Sequence, residues 1–154
     1  MSTVETRIAD LGLTLPPVAA PIASYVPAVR TGNLVFTSGQ LPLVAGQLVA
    51  AGKVGADVDV ATAQDAARIC ALNALAAIKQ LIGDLDRITR VVKVVGFIAV
   101  DPGFTNHAAV MNGASDFIGA VLGSAATHAR SSVGMASLPL DAPVEVELIV
   151  EVRE

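Results

Sequence analysis

The sequence predicts an α+β fold in which a mixed β-sheet carries two helices on one face. Its strand-like segments come in runs, in the order ββ(β)αβαββ, which is typical of α+β domains. Two apolar segments repeat at the three- and four-residue spacing of a helix. Residues 144–153 alternate apolar and charged side chains, with Ile149 as the one exception, as a strand with one buried face does. At 154 residues, the chain is predicted to form one domain spanning residues 1–154.

The first elements are short. Residues 1–27 are rich in proline and are predicted to be extended, apart from a helical turn near residues 4–11. Residues 34–37 read Leu-Val-Phe-Thr and follow a Gly-Asn pair, so they are predicted to form a strand entered from a tight turn. A second short strand is predicted at residues 47–49.

The first long helix is predicted over residues 62–82, because this segment is rich in alanine and has a broad apolar face. Thr62 and Asp65 have the spacing of a capping box, which marks a helix start. Gly83 follows the last apolar residue and is typical of a helix end.

A strand, a helix and two further strands are predicted after the first long helix. Residues 90–100 are rich in valine and are predicted to form a central strand. A second helix is predicted to be capped by Thr105 or Asn106 and to end at Gly123. A strand at residues 131–135 precedes the final one.

The composition argues against a disordered protein and against binding to double-stranded nucleic acid, and it predicts an oligomer. Hydrophobic residues make up 53% of the chain and charged residues 16%, which excludes a disordered protein. The net charge is −4 and the cations are scattered, so binding to double-stranded nucleic acid is not expected. Two helices can cover only one sheet face. The other face is therefore expected to be buried against another subunit.

A cytoplasmic protein without membrane contact is expected. The N-terminus lacks the basic region and apolar run of a signal peptide. The apolar residues 11–29 contain four prolines, which argues against a spanning helix. The single cysteine, Cys70, excludes an intrachain disulfide and is predicted to be a small buried residue of the first long helix.

No metal or nucleotide site is predicted. His107 and His128, the two histidines, are distant in sequence and have no carboxylate cluster at ligand spacing, so they are interpreted as a surface-helix and a loop residue. No glycine-rich phosphate-binding motif is present. Nucleophilic catalysis stays open without a specific signal.

Four polar residues are the candidates for chemistry. Arg130 begins a strand in a largely uncharged stretch, and its planar guanidinium suits a carboxylate; an exposed charge at a strand end is the alternative. Glu145 lies on the polar side of the last strand, where a solvated role is the alternative. Tyr25, the single tyrosine, and Ser38, at the end of a strand, have packing and turn-capping as their ordinary roles.

Two motifs resemble the signatures of a known family. Residues 32–42, Gly-Asn-Leu-Val-Phe-Thr-Ser-Gly-Gln-Leu-Pro, are similar to the N-terminal signature of the reactive intermediate deaminase family, also called Rid, YjgF or "endoribonuclease L-PSP". Residues 130–133, then Leu-Pro at 138–139 and Val-Glu-Val-Glu at 144–147, resemble its C-terminal signature. The resemblance implies a chorismate-mutase-like fold and a homotrimer with each cleft between two subunits.

The resemblance also implies an activity and its residues. Family members hydrolyse enamine and imine intermediates such as 2-aminoacrylate to a 2-keto acid and ammonia, without a metal or organic cofactor. Arg130 matches the arginine that binds the substrate carboxylate, and Glu145 the glutamate that positions or activates water. The matches for the residues that line or adjoin the cleft are Tyr25, Ser38 and Asn112.

Two departures point to a divergent subgroup. Ser132, also predicted to bind substrate, stands where the best-known deaminases of the family have a cysteine. Gly134 stands where a larger polar residue is often found. Both changes are expected to alter the pocket shape and the substrate range, while the arginine and the glutamate are retained.

Three functions are therefore compared. Imine hydrolysis needs only a carboxylate anchor and a positioned water, which this residue set can supply. A non-catalytic trimeric binder or sensor of small carboxylates or 2-keto acids would need the anchor alone. Cleavage of single-stranded RNA is disfavoured by the acidic balance and the 3% aromatic content. The imine deaminase is the leading prediction.

Overall fold

The computed structural model describes residues 2–18 and 20–154. The helices are α1 (Thr3–Asp10), α2 (Val60–Ile82) and α3 (His107–Leu122). The strands are β1 (Ala28–Thr31), β2 (Leu34–Thr37), β3 (Leu43–Val44), β4 (Gln47–Leu48), β5 (Ile88–Ala99), β6 (Ala129–Met135) and β7 (Val144–Val152). One five-stranded sheet has the order β1-β2-β7-β5-β6, and β3 pairs with β4. Strand β6 runs parallel to β5 and the other neighbours are antiparallel, so the predicted mixed sheet is confirmed.

The core lies between the sheet and helices α2 and α3. Every second residue of β7, from Val144 to Val152, is buried, which confirms the predicted alternation. Cys70 on α2 is fully buried, as predicted, and its thiol lies 3.6 Å from the carbonyl oxygen of Val144. This burial raises the pKa of Cys70 well above its ordinary value and makes it a core residue rather than a nucleophile.

The two long helices differ in how they begin. Helix α2 starts at Val60 rather than Thr62, because the Asp59 carboxylate accepts the backbone N–H of Thr62 at 2.8 Å and caps the helix. The predicted capping box between Thr62 and Asp65 is therefore wrong. Asn106 precedes α3, as predicted, but its side chain makes no capping hydrogen bond.

Helix α1 adds a third helix to the predicted pair. It confirms the helical turn predicted near the N-terminus. Its first N–H groups, those of Thr3 and Val4, donate to the Asp86 carboxylate at 2.8 and 3.0 Å. These hydrogen bonds lower the pKa of Asp86. Lys79 of α2 pairs with Glu5 at 2.7 Å, so an ion pair also holds α1 against the rest of the domain.

The rest of the N-terminal segment is irregular. Beyond α1, the described residues up to residue 27 form neither helix nor strand. Met1 and Ala19 belong to the same predicted segment and lie outside the described residues. No helix within residues 2–18 and 20–154 has the length and apolar character that crossing a membrane requires.

The second face of the sheet carries apolar side chains that this chain leaves exposed. Phe36 of β2 pairs with Val29 of β1 on one side and with Ile149 of β7 on the other. Phe36, Val29 and Val133 are each at least one-third exposed. The expectation that another subunit covers this face stays a prediction.

Candidate functional site

Arg130 lies on the edge strand β6, on the side that faces α3. Its Nη1 donates to Oδ1 of Asn112 and to Oγ of Ser115, both at 3.0 Å, and its Nη2 donates to the carbonyl oxygen of Ala108 at 3.4 Å. Successive positions four and three residues apart on one helix face hold these three acceptors together. The structure thus brings together two residues predicted for the site, Arg130 and Asn112.

Two further residues complete this group. His128 Nε2 lies 2.9 Å from Oγ of Ser115, and His128 Nδ1 contacts the carbonyl oxygen of Ala126. We call Arg130, Asn112, Ser115 and His128 the arginine group.

Sequence reasoning did not single out Ser115, and it interpreted His128 as an ordinary loop residue. Only the spacing of these two residues from Asn112 and Arg130 in the sequence could have indicated them. Ser115 follows Asn112 by three residues on a helix, and His128 precedes Arg130 by two residues, the spacing at which side chains of an extended chain lie on one side.

Ser132 continues the same side of β6. Its hydroxyl is buried and has no hydrogen-bond partner among residues 2–18 and 20–154. Gly134 comes next on this side, where an added Cβ would lie 2.6 Å from Nε2 of His107 and 2.9 Å from Cγ2 of Val100. A larger residue at position 134 therefore has no room here, because the His107 ring already fills that space.

Glu145 lies on β7 and projects from the other face of the sheet. Its carboxylate packs against Gly39, where an added Cβ would overlap Oε1 and lie 2.8 Å from Cδ of Glu145. The backbone of Gln40 pairs with that of Val146 through hydrogen bonds of 2.8 and 3.0 Å and fixes this approach. Burial, followed by the negative charge of Glu147, raises the pKa of Glu145 above its ordinary value of 4.5.

Tyr25 and Ser38 lie on the same side of the domain as Gly39. The Ser38 hydroxyl donates to the carbonyl oxygen of Val26 at 2.6 Å, and the Ser38 N–H donates to that of Pro27 at 2.8 Å. These bonds attach the end of the N-terminal segment to β2. A small cavity of about 40 Å³ is lined by Tyr25 and Gly39, among others. We call Tyr25, Ser38, Gly39 and Glu145 the glutamate group.

One chain does not bring the two groups into one site. Strand β5 separates β6 from β7. Arg130 pairs across the sheet with Val94, a fully buried residue of the helix-covered face, whereas Glu145 pairs with Phe97, which has the opposite parity on β5. The guanidinium and the carboxylate therefore lie on opposite faces of the sheet.

In the part of the chain that the structure describes, three or more His, Cys, Asp or Glu side chains nowhere cluster closely enough to hold a metal ion.

Comparison with known proteins identifies the family. Residues 5–152 match the family described as "YjgF/chorismate_mutase-like, putative endoribonuclease". The chain belongs to this family. The match covers both signature motifs and agrees with the fold predicted from them.

Three proteins similar to this chain carry different descriptions. The crystal structure of a protein of unknown function from Agrobacterium tumefaciens is 50% identical, has a TM-score of 0.92, and matches over 98% of this chain and 93% of that one. "Protein TCP17" of Trypanosoma cruzi is 43% identical over 153 residues, 97% of this chain and 94% of that protein. The 2-iminobutanoate/2-iminopropanoate deaminase of Escherichia coli K12 is 31% identical over 135 residues, 84% and 88% of the two chains.

Proposed function

We propose that this YjgF-family protein is a hydrolytic deaminase of small enamine or imine acids related to 2-aminoacrylate. It works without a metal or organic cofactor and releases a 2-keto acid and ammonia. Its site lies between subunits of a homotrimer and combines the arginine group of one chain with the glutamate group of the next. The observation that carries this proposal is the fixed guanidinium of Arg130, together with the similarity to an imine deaminase.

Arg130 is suited to anchor the substrate carboxylate. Both hydrogens of Nη1 are taken by Asn112 and Ser115, which fixes the plane of the guanidinium. Nε of Arg130 has no hydrogen-bond partner among the described residues. Nη2 gives one hydrogen to the carbonyl oxygen of Ala108. Its second hydrogen and that of Nε can therefore donate two parallel hydrogen bonds to a carboxylate, which is a strong and geometrically specific contact.

Glu145 is suited to activate the water. A carboxylate whose pKa is raised is a stronger base than an ordinary glutamate. Water adds to the carbon of the C=N bond while one of its protons passes to Glu145. That proton then moves to the nitrogen and gives a carbinolamine. The hydroxyl proton of the carbinolamine passes through Glu145 to the nitrogen as the C–N bond breaks, so that the carbonyl forms and ammonia leaves. The imine is already electrophilic, so orientation supplies most of the rate enhancement.

The intersubunit arrangement follows from the opposite faces on which the two groups lie. A substrate touching both Arg130 and Glu145 needs a second chain, because β5 and the sheet itself separate the two side chains within one chain. The exposed apolar side chains of the second sheet face offer a surface on which such a chain can pack.

The test couples the purified protein to an enzyme that generates 2-aminoacrylate and follows the formation of pyruvate. We expect faster formation with the wild-type protein, and a rate close to that of uncatalysed hydrolysis with Glu145→Gln. Glu151→Gln, on the same side of the same strand but remote from Gly39, is the matched control and should behave as wild type. A wild-type rate equal to that of uncatalysed hydrolysis contradicts the proposal.

A non-catalytic binder of 2-keto acids is the second candidate. It is favoured by Ser132, which stands where the best-known deaminases of the family have a cysteine. The buried hydroxyl of Ser132 has no hydrogen-bond partner among residues 2–18 and 20–154. In that case 2-ketobutyrate binds in a titration and Arg130→Ala weakens the binding, but no turnover of 2-aminoacrylate is observed.

A further inference from the structure

We propose that Ser115 and His128 are positioning residues for Arg130, which they hold so that its Nε and Nη2 edge is presented to the substrate carboxylate. The inference rests on the proposed function of Arg130 as the carboxylate anchor. It assigns a role to two residues that the chemistry of the site does not otherwise use.

The hydrogen bonds of the arginine group can have only one direction when the His128 ring is neutral. The carbonyl oxygen of Ala126 can only accept, so Nδ1 of His128 carries the hydrogen and Nε2 is the acceptor. The Ser115 hydroxyl must then donate to Nε2 of His128. This leaves the lone pairs of Ser115 Oγ directed to the Nη1 hydrogen of Arg130.

This order makes Ser115 a better acceptor for Arg130. A hydroxyl that donates to an imidazole is polarised, and its oxygen accepts more strongly as a result. It is also held in one orientation, since its own hydrogen is already used. Arg130 thus has one acceptor fixed by His128 and a second, Asn112, one helical turn away.

The consequence is a guanidinium that is ordered before the substrate arrives. An arginine side chain has many rotamers, and fixing it on binding weakens the affinity for the ligand. Because both hydrogens of Nη1 are already bonded, the side chain is ordered in the folded protein before the substrate binds. The spacing of Nε and Nη2 on the remaining edge matches that of the two oxygens of a carboxylate.

The experiment measures 2-ketobutyrate affinity by calorimetry and the KM and kcat for 2-aminoacrylate. Ser115→Ala should weaken the affinity and raise KM by about tenfold while kcat changes less than twofold, because the anchor holds ground and transition states alike. Ser115→Thr keeps the hydroxyl and should recover most of the affinity. Ser124→Ala, an exposed serine of the short 3₁₀ helix Gly123–Ala126, is the control and should match wild type.

His128 has its own pair of variants. His128→Ala removes the acceptor of the Ser115 hydroxyl and should weaken the affinity by about three- to fivefold. His128→Gln offers an amide oxygen near the position of Nε2 and should recover part of it. If Ser115→Ala does not fold, this pair makes the same comparison.

A double-mutant cycle separates positioning from a structural role. In an Arg130→Ala background, Ser115→Ala should have no further effect on affinity, since its target is gone. An additive effect, or a lowered Tm with unchanged affinity in Ser115→Ala, overturns the inference. If Arg130→Ala weakens binding while both Ser115→Ala and His128→Ala leave it unchanged, the inference is wrong and the proposed anchor stands. If Arg130→Ala itself binds as wild type, the anchor is wrong and the inference falls with it.

Discussion

The carboxylate of Glu145 lies against the α-carbon of Gly39, in the space that any side chain at residue 39 would occupy. Gly39 does not have a left-handed φ, so its lack of a side chain is explained by this contact and not by backbone strain. A signature motif that reads as a turn in the sequence, Thr-Ser-Gly-Gln, thus makes room for the candidate catalytic carboxylate on another strand.

Gly39→Ala should therefore displace the Glu145 carboxylate without disturbing the fold. We expect kcat for 2-aminoacrylate to fall by about 10- to 100-fold, since a shift of about 1 Å in a catalytic group can have that effect. The affinity for 2-ketobutyrate should stay within a few-fold of wild type, because Arg130 is untouched. Steady-state kinetics and calorimetry decide; an unchanged kcat would mean that the position of Glu145 does not matter.

Gly119→Ala is the matched control for this change. Gly119 lies in α3 with no neighbouring atom within 4 Å of an added Cβ. Alanine there should leave the kinetics unchanged and stabilise the protein by about 0.5–1 kcal/mol, because glycine disfavours the helix interior.

Glu145→Gln should raise stability at neutral pH. Burial raises the folded-state pKa of Glu145 above 4.5, so the ionised form is less favourable in the folded than in the unfolded chain. This destabilisation is absent below pH 4.5, grows as pH rises towards the folded-state pKa, and is constant above it. The Tm difference between Glu145→Gln and wild type should therefore be positive at pH 7 and vanish near pH 4. A Glu145→Gln variant that melts lower than wild type at pH 7 would contradict this.

Ionisation of Glu145 should lower the stability of the protein but raise its activity. A general base must be ionised, so kcat should fall as pH decreases through the folded-state pKa of Glu145, at a pH above 4.5. The pH profile of kcat measures it, with Glu151→Gln as the control variant that should keep the wild-type profile. A profile that is flat down to pH 4.5 would exclude Glu145 as the base.

The elements of the fold could be predicted because each has its own period. The alternation in β7 and the three- and four-residue spacing in α2 and α3 follow from which side of each element is buried. Strand β1 has no such pattern, since three of its four residues are exposed at the sheet edge, and it was not identified as a separate strand.

The site was less accessible to sequence reasoning because its contacts depend on sheet order. Spacing places Asn112 and Ser115 on one side of α3, but only the parallel pairing of β6 with β5 brings Arg130 beneath them. The opposite faces of Arg130 and Glu145 depend likewise on their partners on β5, Val94 and Phe97. Nothing local to either motif contains that information.

Assembly can be tested directly on the exposed sheet face. Light scattering at micromolar concentration should give about three times the chain mass of 15.6 kDa. Phe36→Gln should weaken the assembly, because Phe36 lies between Val29 and Ile149 on that face. Leu81→Gln, an exposed leucine on α2, should not. A wild-type mass of one chain would remove both the trimer and the intersubunit site.

Variants of Arg130 distinguish a residue that anchors the substrate carboxylate from one that only stabilises the fold. A bidentate contact between charged groups contributes roughly 2–4 kcal/mol, so Arg130→Ala should weaken 2-ketobutyrate binding by about 30- to 1000-fold. Arg130→Lys keeps the charge but loses the planar edge and should recover only part. Because the acceptors Asn112 and Ser115 lose their donor, Arg130→Ala should also lower stability slightly, by about 1 kcal/mol.

The matched control is Arg30→Ala, on the edge strand β1, whose guanidinium reaches only the Gly32 carbonyl oxygen among the described residues. It should bind 2-ketobutyrate as wild type does. Calorimetric titrations and thermal melts of the three arginine variants measure both quantities. A large drop in Tm with unchanged affinity in Arg130→Ala would make Arg130 a structural residue. Weak binding in a folded Arg130→Ala variant, with partial recovery in Arg130→Lys, is the pattern that only a carboxylate anchor produces.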